Sequence, residues 1–294
     1  MDRRDCRPVE RRSTVASGGF GRAEILSVTG LTRSRTPVVH SPRFQVLFPL
    51  AGVFRWHVGS RAPLVDPNQV LFIAAGDESR DSHPSVGDAE ALLLTPEPDL
   101  LESAWRSEPA ALRTVRAFSE RVLPSAPAIQ RLAAAIAWCG RSAPAHARDE
   151  LEEAIVELLC ATARHSGTPR REYRRNGGRL VGLIKEAVGA AEGRVTLHEL
   201  SRQLGRSAAW LTEVFRRSEG MPIARYQRRL RLVRALSELP HTDDITALAL
   251  RFGFSSHAHF SSAFRAEFGC TPSEYRARAR RRDLPALLAQ RRTT

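Results

Sequence analysis

The spacing of apolar positions changes once along the chain. From 20 to 96, short apolar runs are broken by turn residues: Phe44, Val46, Phe48 and Leu50 alternate with Gln45, Leu47 and Pro49. After Ala51-Gly52 comes the run from Val53 to Val58, then the turn Asp66-Pro67-Asn68, then Val70-Leu71-Phe72-Ile73, and finally Ala91-Leu92-Leu93-Leu94. Strands this short at this spacing predict an all-β sandwich or small barrel. From Asp99 onward the period is helical. Leu100, Leu101, Ala104 and Trp105 share one face, as do Ile129, Leu132, Ala133 and Ile136, and then Leu151, Ala154, Ile155, Leu158 and Leu159. The last helix opens with Asp149, Glu150, Glu152 and Glu153, which suit the positive end of the helix dipole. Its apolar stripe either pairs two copies of the chain or packs on the β domain.

Segments without apolar period divide the chain. Residues 1–19 are polar and Arg-rich, end in Ser17-Gly18-Gly19 and read as a mobile arm. Residues 166–178 carry Gly, Pro and charge and read as a linker. Residues 283–294 are left as a tail. The domains expected are thus 20–165 and 179–282.

The C-terminal part matches itself at an offset of 49: Ser207 falls on Ser256, Leu211 on Phe260, Phe215 on Phe264, Arg216 on Arg265, Gly220 on Gly269 and Tyr226 on Tyr275. A repeat of this kind implies two copies of one supersecondary unit. In the first, Thr196 and Glu199 form a capping box; Leu197, Leu200, Ser201 and Leu204 make the inner face, Gly205 the turn, and Ser207 caps a second helix that ends at Gly220. The second copy places Ile245, Leu248, Ala249 and Phe252 on one helix, Gly253-Phe254 at the turn and Ser256 as cap, with Gly269 as the stop. A long helix from 223 to 239 joins them, with Tyr226, Leu230, Val233 and Leu236 inward and Arg225, Arg228, Arg229 and Arg231 on its surface. Two capped helix pairs are helix-turn-helix units, whose second helices enter the DNA major groove.

Charge sharpens this division. The net +13 comes from 45 Lys+Arg against 32 Asp+Glu; residues 1–165 hold 20 Arg and 20 Asp/Glu, net zero, so 25 basic and 12 acidic residues in 166–294 carry all of it. A basic C-terminal half points to a polyanionic partner. Lys185 is the only lysine. The run Arg276 to Arg282 has no motif assigned to it.

Residues 180–278 resemble the DNA-binding domain of the AraC/XylS family of transcription regulators. The resemblance rests on the run Ile245-Thr-Ala-Leu-Ala-Leu-Arg-Phe-Gly-Phe254-Ser-Ser-His-Ala-His-Phe260-Ser-Ser-Ala-Phe264-Arg-Ala-Glu-Phe-Gly269-Cys-Thr-Pro272-Ser-Glu-Tyr275. It implies an α+β chain, with an N-terminal cupin-like β-barrel and its helices, for effector sensing and dimerisation, linked to an all-α domain with two helix-turn-helix motifs. It also implies base contacts at Ala209, Thr212 and Glu213 and a phosphate contact near Arg216. Glu213 departs from the basic residue expected there, so it either accepts from cytosine or repels the wrong site. Trp210 lies against the domain surface or a sugar-phosphate chain. In the second recognition helix His257, His259, Ser261, Ser262 and Arg265 point outward, the histidines either as readers of purine edges or as helix-start contacts to phosphate or water, and Arg265 as a phosphate holder. The caps Ser207 and Ser256 complete the expected DNA-binding set.

In the N-terminal domain Arg43, Arg55, Trp56, His57 and His83, with Gln45, are the candidates for an effector pocket. His40, His57 and His83 are isolated, with no H-x-H, and no nucleophile elbow or phosphate loop occurs, so no catalytic residue, metal or cofactor is expected. The rival classes are a cupin metalloenzyme carrying a DNA module and a regulator controlled by abundance alone. Cys6, Cys139, Cys160 and Cys270 are scattered, the last three reading as buried thiols. With no long apolar run and no signal-peptide core at the N-terminus, the chain is expected in the cytoplasm, at the nucleoid, with no membrane association. The expected partners are double-stranded promoter DNA, RNA polymerase, a small effector and a second copy of the chain, and the expected role is activator.

Overall fold

The computed structural model describes residues 9–31, 35–83, 87–106, 121–141, 148–166 and 178–288. The strands are β1 (Val9–Gly18), β2 (Gly21–Leu31), β3 (Val39–His40), β4 (Gln45–Ala51), β5 (Phe54–Val58), β6 (Leu64–Val65), β7 (Gln69–Ile73), β8 (Glu78–Ser82), β9 (Gly87–Pro96) and β10 (Val122–Pro124). They form a six-stranded sheet in the order β1-β2-β9-β4-β7-β10 and a four-stranded sheet in the order β3-β8-β5-β6, and every paired neighbour is antiparallel.

The centre of the large sheet is buried on both faces, which is why β4 and β7 read as nearly unbroken apolar runs. Successive side chains of a strand point to opposite faces. Leu47, Leu71, Ile73 and Leu93 therefore meet Phe54, Trp56 and Val65 between the sheets. Val46, Phe48, Val70, Phe72, Leu92 and Leu94 face the helices instead. Asp66 makes the turn between β6 and β7 by accepting from Asn68 N at 2.8 Å, the local bond that suits Asx residues to turns.

The helices are α1 (Pro98–Arg106), α2 (Pro127–Gly140), α3 (Arg148–Ser166), α4 (Gly178–Ala190), α5 (Leu197–Leu204), α6 (Ala208–Glu219), α7 (Ile223–Glu238), α8 (Ile245–Arg251), α9 (His257–Phe268), α10 (Pro272–Arg281) and α11 (Leu284–Leu288). Of these, α2 is buried almost all round, because it lies between the large sheet, α3 and the C-terminal helices. The stripe Leu151, Ala154, Ile155, Leu158 and Leu159 is buried in the chain's own core, so packing accounts for it and it is not open to a second copy.

Several expectations are corrected. Residues 9–18 are not an arm: they form the edge strand β1 paired with β2, its charged Glu10, Arg11 and Arg12 exposed, as sheet edges often are. Residues 1–8 lie outside the described residues, as do 167–177 of the linker and the side chain of Trp105. The tail contains α11, whose Leu284 and Leu287 are buried against the core that includes α2 and α3. Leu197 is 39% exposed rather than inward, and Arg229, expected on the surface, is buried. The arginines of α10 hold the loop before α8: Arg276 Nη1 donates to Asp243 O at 2.7 Å and Arg280 Nη2 to Thr242 O at 2.8 Å. Cys139 and Cys270 are buried and Cys160 is half-buried; burial pushes the Cys139 thiol up to about 11.

Because Leu287 fills core space, Leu287→Ala is expected to lower unfolding stability by about 2–5 kcal/mol, measured by urea denaturation. An unpacked tail would give a change within about 0.5 kcal/mol.

Candidate nucleic-acid interface and inter-sheet cavity

Both helix-turn-helix units are built by local bonds that the sequence specifies. Thr196 N donates to Glu199 Oε2 at 2.7 Å and Glu199 N to Thr196 Oγ1 at 3.1 Å, so the capping box of α5 is formed. Gly205 turns with φ 62°, in the left-handed region that favours glycine. Ser207 caps α6 and Ser256 caps α9, each accepting from the backbone N–H three residues on. Gly220 and Gly269 end the two helices with φ 73° and 77°. The offset of the repeat is thus the offset of equivalent structural positions. Asp244 caps α8 through Thr246 N and Ala247 N, a cap the sequence reading missed.

On α6, Ala209 and Arg216 are exposed and Thr212 and Glu213 half-exposed, while Leu211 and Phe215 are buried. Thr212 Oγ1 donates back to Ala208 O at 2.9 Å, which occupies its proton and leaves its oxygen as an acceptor. Glu213 is shared by two guanidiniums: Arg217 Nε donates to it at 2.6 Å and Arg216 Nη2 at 3.0 Å. The bond from Arg217, then that from Arg216, holds this carboxyl below the usual range. Arg217 went unnoticed in the sequence, although its i,i+4 spacing from Glu213 signals the pair. The guanidinium of Arg206 sits 5.2 Å from the ring centre of Trp210, which is 46% exposed.

On α9, His257, His259, Ser262 and Arg265 are exposed and Ser261 is half-exposed. His259 Nδ1 lies 3.0 Å from Ser255 Oγ, and its ring meets Phe254 edge-on at 5.5 Å. His257 Nε2 lies 3.4 Å from Ser261 Oγ. The outward residues of each expected DNA-reading set thus share a recognition helix.

The effector candidates separate. Trp56, His83 and Gln45 line a cavity of about 90 Å³ between the sheets. Alternation along β5 explains the rest: Phe54 and Trp56 point inward, so Arg55 and His57 point away. Arg55 reaches out to Glu186 of α4, and His57 Nε2 contacts Ser82 Oγ at 2.6 Å. Arg43, 42% exposed, pairs with Glu97 at 2.8 Å. Arg43, Arg55 and His57 are therefore not lining residues. Asp81, Arg80, Arg12 and Glu10 line the cavity and were not foreseen, because β8 is polar and β1 had read as an arm.

The cavity's polar groups are unusual. Among the described residues, Trp56 Nε1 is buried without a hydrogen-bond partner, and the His83 ring is buried with the Val53 backbone as its one polar neighbour. Burial holds the His83 imidazole neutral, down to about 4, and burial followed by the charge of Glu10 pushes Asp81 up to about 7.

Comparison with known proteins bears on the helical half. A family profile described as a helix-turn-helix domain matches residues 200–278. The transcriptional activator AarP of Providencia stuartii is 35% identical over 99 residues, 32% of this chain and 73% of that protein. The transcriptional activator RhaR of Mannheimia succiniciproducens is 30% identical over 125 residues, 42% of this chain; the match spans less than half of that relative, 44%. A solved regulator from Chromobacterium violaceum, described as having an AraC-type DNA-binding domain, is 32% identical, covering 35% of this chain and 95% of its own, with a TM-score of 0.32.

Because the folded state keeps His83 neutral, its contribution is full above the usual pKa near 6.5 and is lost as pH falls toward 4. Asp81 acts oppositely, its contribution being full below about 4 and lost as pH rises through 7. His83→Leu is therefore expected to flatten the fall in melting temperature between pH 6.5 and 4.5 in thermal denaturation; an unchanged slope contradicts a buried neutral imidazole. With paired, equally capped units in 180–278 and relatives sharing that module, the chain belongs to the AraC/XylS family of transcription regulators.

Proposed function

We propose that this chain is a sequence-specific DNA-binding transcription regulator, acting as an activator, with the inter-sheet cavity as the seat of a small effector. The observation that carries the reading is the pair of recognition helices, α6 and α9, capped alike and with their outward residues uncovered, in the half of the chain that holds the net +13. On this reading Ala209, Thr212, His257 and His259 meet base edges, and Ser261 and Ser262 flank them. Arg216 and Arg265 hold phosphate, and the hydroxyls of Ser207 and Ser256 stay with their helices as caps. Glu213, already compensated by Arg216 and Arg217, acts by keeping those arginines off wrong sites and releasing them to phosphate at the right one. AarP and RhaR, both described as transcriptional activators, support the choice of activator, and RNA polymerase is then the further partner.

A half-site read by two helices is asymmetric, so a homodimer would bind two such half-sites. Its contact surface falls outside the stripe on α3, which the chain itself covers. No described helix is long and apolar enough to cross a membrane. A site of action at the nucleoid, in the cytoplasm, follows from the DNA partner.

Selection of sites from a random DNA pool by the full chain tests this. The expected motif has two short blocks about 10 base pairs apart, one for each recognition helix. Arg265→Ala is expected to weaken every selected site alike and reduce the salt slope by about one, whereas His259→Ala alters the preferred bases in one block only. Recovery of no motif, or equal effects of both variants, would overturn the reading.

A further inference from the structure

The two helix-turn-helix units are attached to the β domain by different forces. The core of the second unit, Phe260, Phe264, Phe268 and Tyr275, belongs to one continuous apolar cluster with α2 and α3 of the N-terminal domain. The core of the first unit, among them Val181, Ile184, Leu211 and Phe215, is a separate cluster of its own. Helix α7 spans both: Ile223, Tyr226 and Leu230 belong to the first core, Leu232, Val233 and Leu236 to the second. Beside Leu230, next to where the two sets meet, sits buried Arg229, whose Nη2 donates to Gln130 Oε1 of α2 at 3.0 Å and whose Nε lies 3.2 Å from Glu267 Oε1 of α9. The helix is thus pinned at its middle.

What joins the first unit to the β domain is polar and small. The Tyr226 hydroxyl donates to Asp66 in the turn between β6 and β7. Lys185 Nζ of α4 lies 4.0 Å from the same carboxylate and 2.8 Å from Glu219 of α6. Arg55 Nε of β5 donates to Glu186 Oε1 at 2.6 Å. Alongside, α4 comes so close to the β domain that a Cβ on Gly189 would lie 2.5 Å from Val53 Cγ2.

We infer that this polar clasp is a release point: opening it frees the first helix-turn-helix unit from the β domain, while the second stays built into the helical core. Apolar packing is spread over many side chains, so no single change dislodges the second unit. The clasp depends on a few charged and hydrogen-bonded groups, and removing one leaves its partner buried and unpaired. The clasp also adjoins the cavity, since β5 turns Trp56 into it and Arg55 toward α4. Opening detaches α4 and the helices packed on it from the β domain, while α7, pinned near its middle, keeps the spacing of the two recognition helices.

Two buried residues report the two units separately. Lys185, 5% exposed, reports the first, and as the only lysine it is readily followed by amine acylation and peptide mass spectrometry. Cys270, 1% exposed, reports the second by thiol alkylation. In the full chain, Gly189→Ala should wedge α4 away from Val53 while favouring the helix itself, so it opens the clasp without weakening the unit. Asp66→Asn opens it by removing the carboxylate. In both variants Lys185 acylation is expected to rise about tenfold, the factor that a loss of about 1.4 kcal/mol gives, with Cys270 alkylation unchanged. Val53→Ala added to Gly189→Ala should restore the slow rate. The inference is overturned if Cys270 opens in step with Lys185, or if Lys185 stays as slow as in the unaltered chain in both variants. It concerns the chain's own mechanics, so failure of the DNA selection would leave it standing, and its failure would leave the DNA reading intact.

Discussion

The structure depends on one helix shared between two cores. Helix α7 is 16 residues long, and its inward side chains close the first helix-turn-helix unit at one end and the second at the other. A helix of that length spans about 24 Å at 1.5 Å per residue, enough to keep two recognition helices apart as a stiff pair. Its midpoint is held by Arg229, a buried cation that is tolerated because Gln130, Ser125 and Glu267 satisfy it. A guanidinium buried without those partners would cost more than the packing around it returns, so α7, α2 and α9 must come together as one piece.

This arrangement separates affinity from choice. The positive half of the chain supplies long-range attraction to phosphate that is insensitive to sequence. On the proposed function, discrimination falls to a few uncharged side chains on α6 and α9, and to the distance between those helices. On α6 the charge itself is moderated, since Glu213 neutralises part of what Arg216 and Arg217 offer. Part of the remaining excess is structural: Arg276 and Arg280 bind backbone carbonyls of the loop before α8, and Arg231 binds those of Phe252 and Gly253.

How much of this was legible in the sequence follows from how local each feature is. Caps, glycine turns and the repeat were readable because each rests on bonds within a few residues, as in Thr196 with Glu199 or Ser256 with His259 N. The turn at Asp66 was legible for the same reason, whereas β4, expected to alternate, is buried on both faces because Leu47 meets the second sheet. Features made by distant segments were not. Residues 9–18 looked like an arm because an edge strand of arginines has no apolar signal until β2 is beside it. Arg229 looked superficial because Gln130 lies 99 residues away. The cavity was half found: Trp56 and His83 were picked by chemistry, but Asp81 and Arg12 reach it only through the sheet order.

The central claim is that α7 holds two readers at a fixed separation, and DNA spacing tests it most directly. Binding of the full chain would be measured by gel shift on its selected site and on the same site with five base pairs inserted between the two blocks. A rigid pair cannot follow half a turn of DNA, so the account predicts that affinity falls to that of one block alone. Equal affinity for both DNAs would mean that the units move independently, and would contradict it.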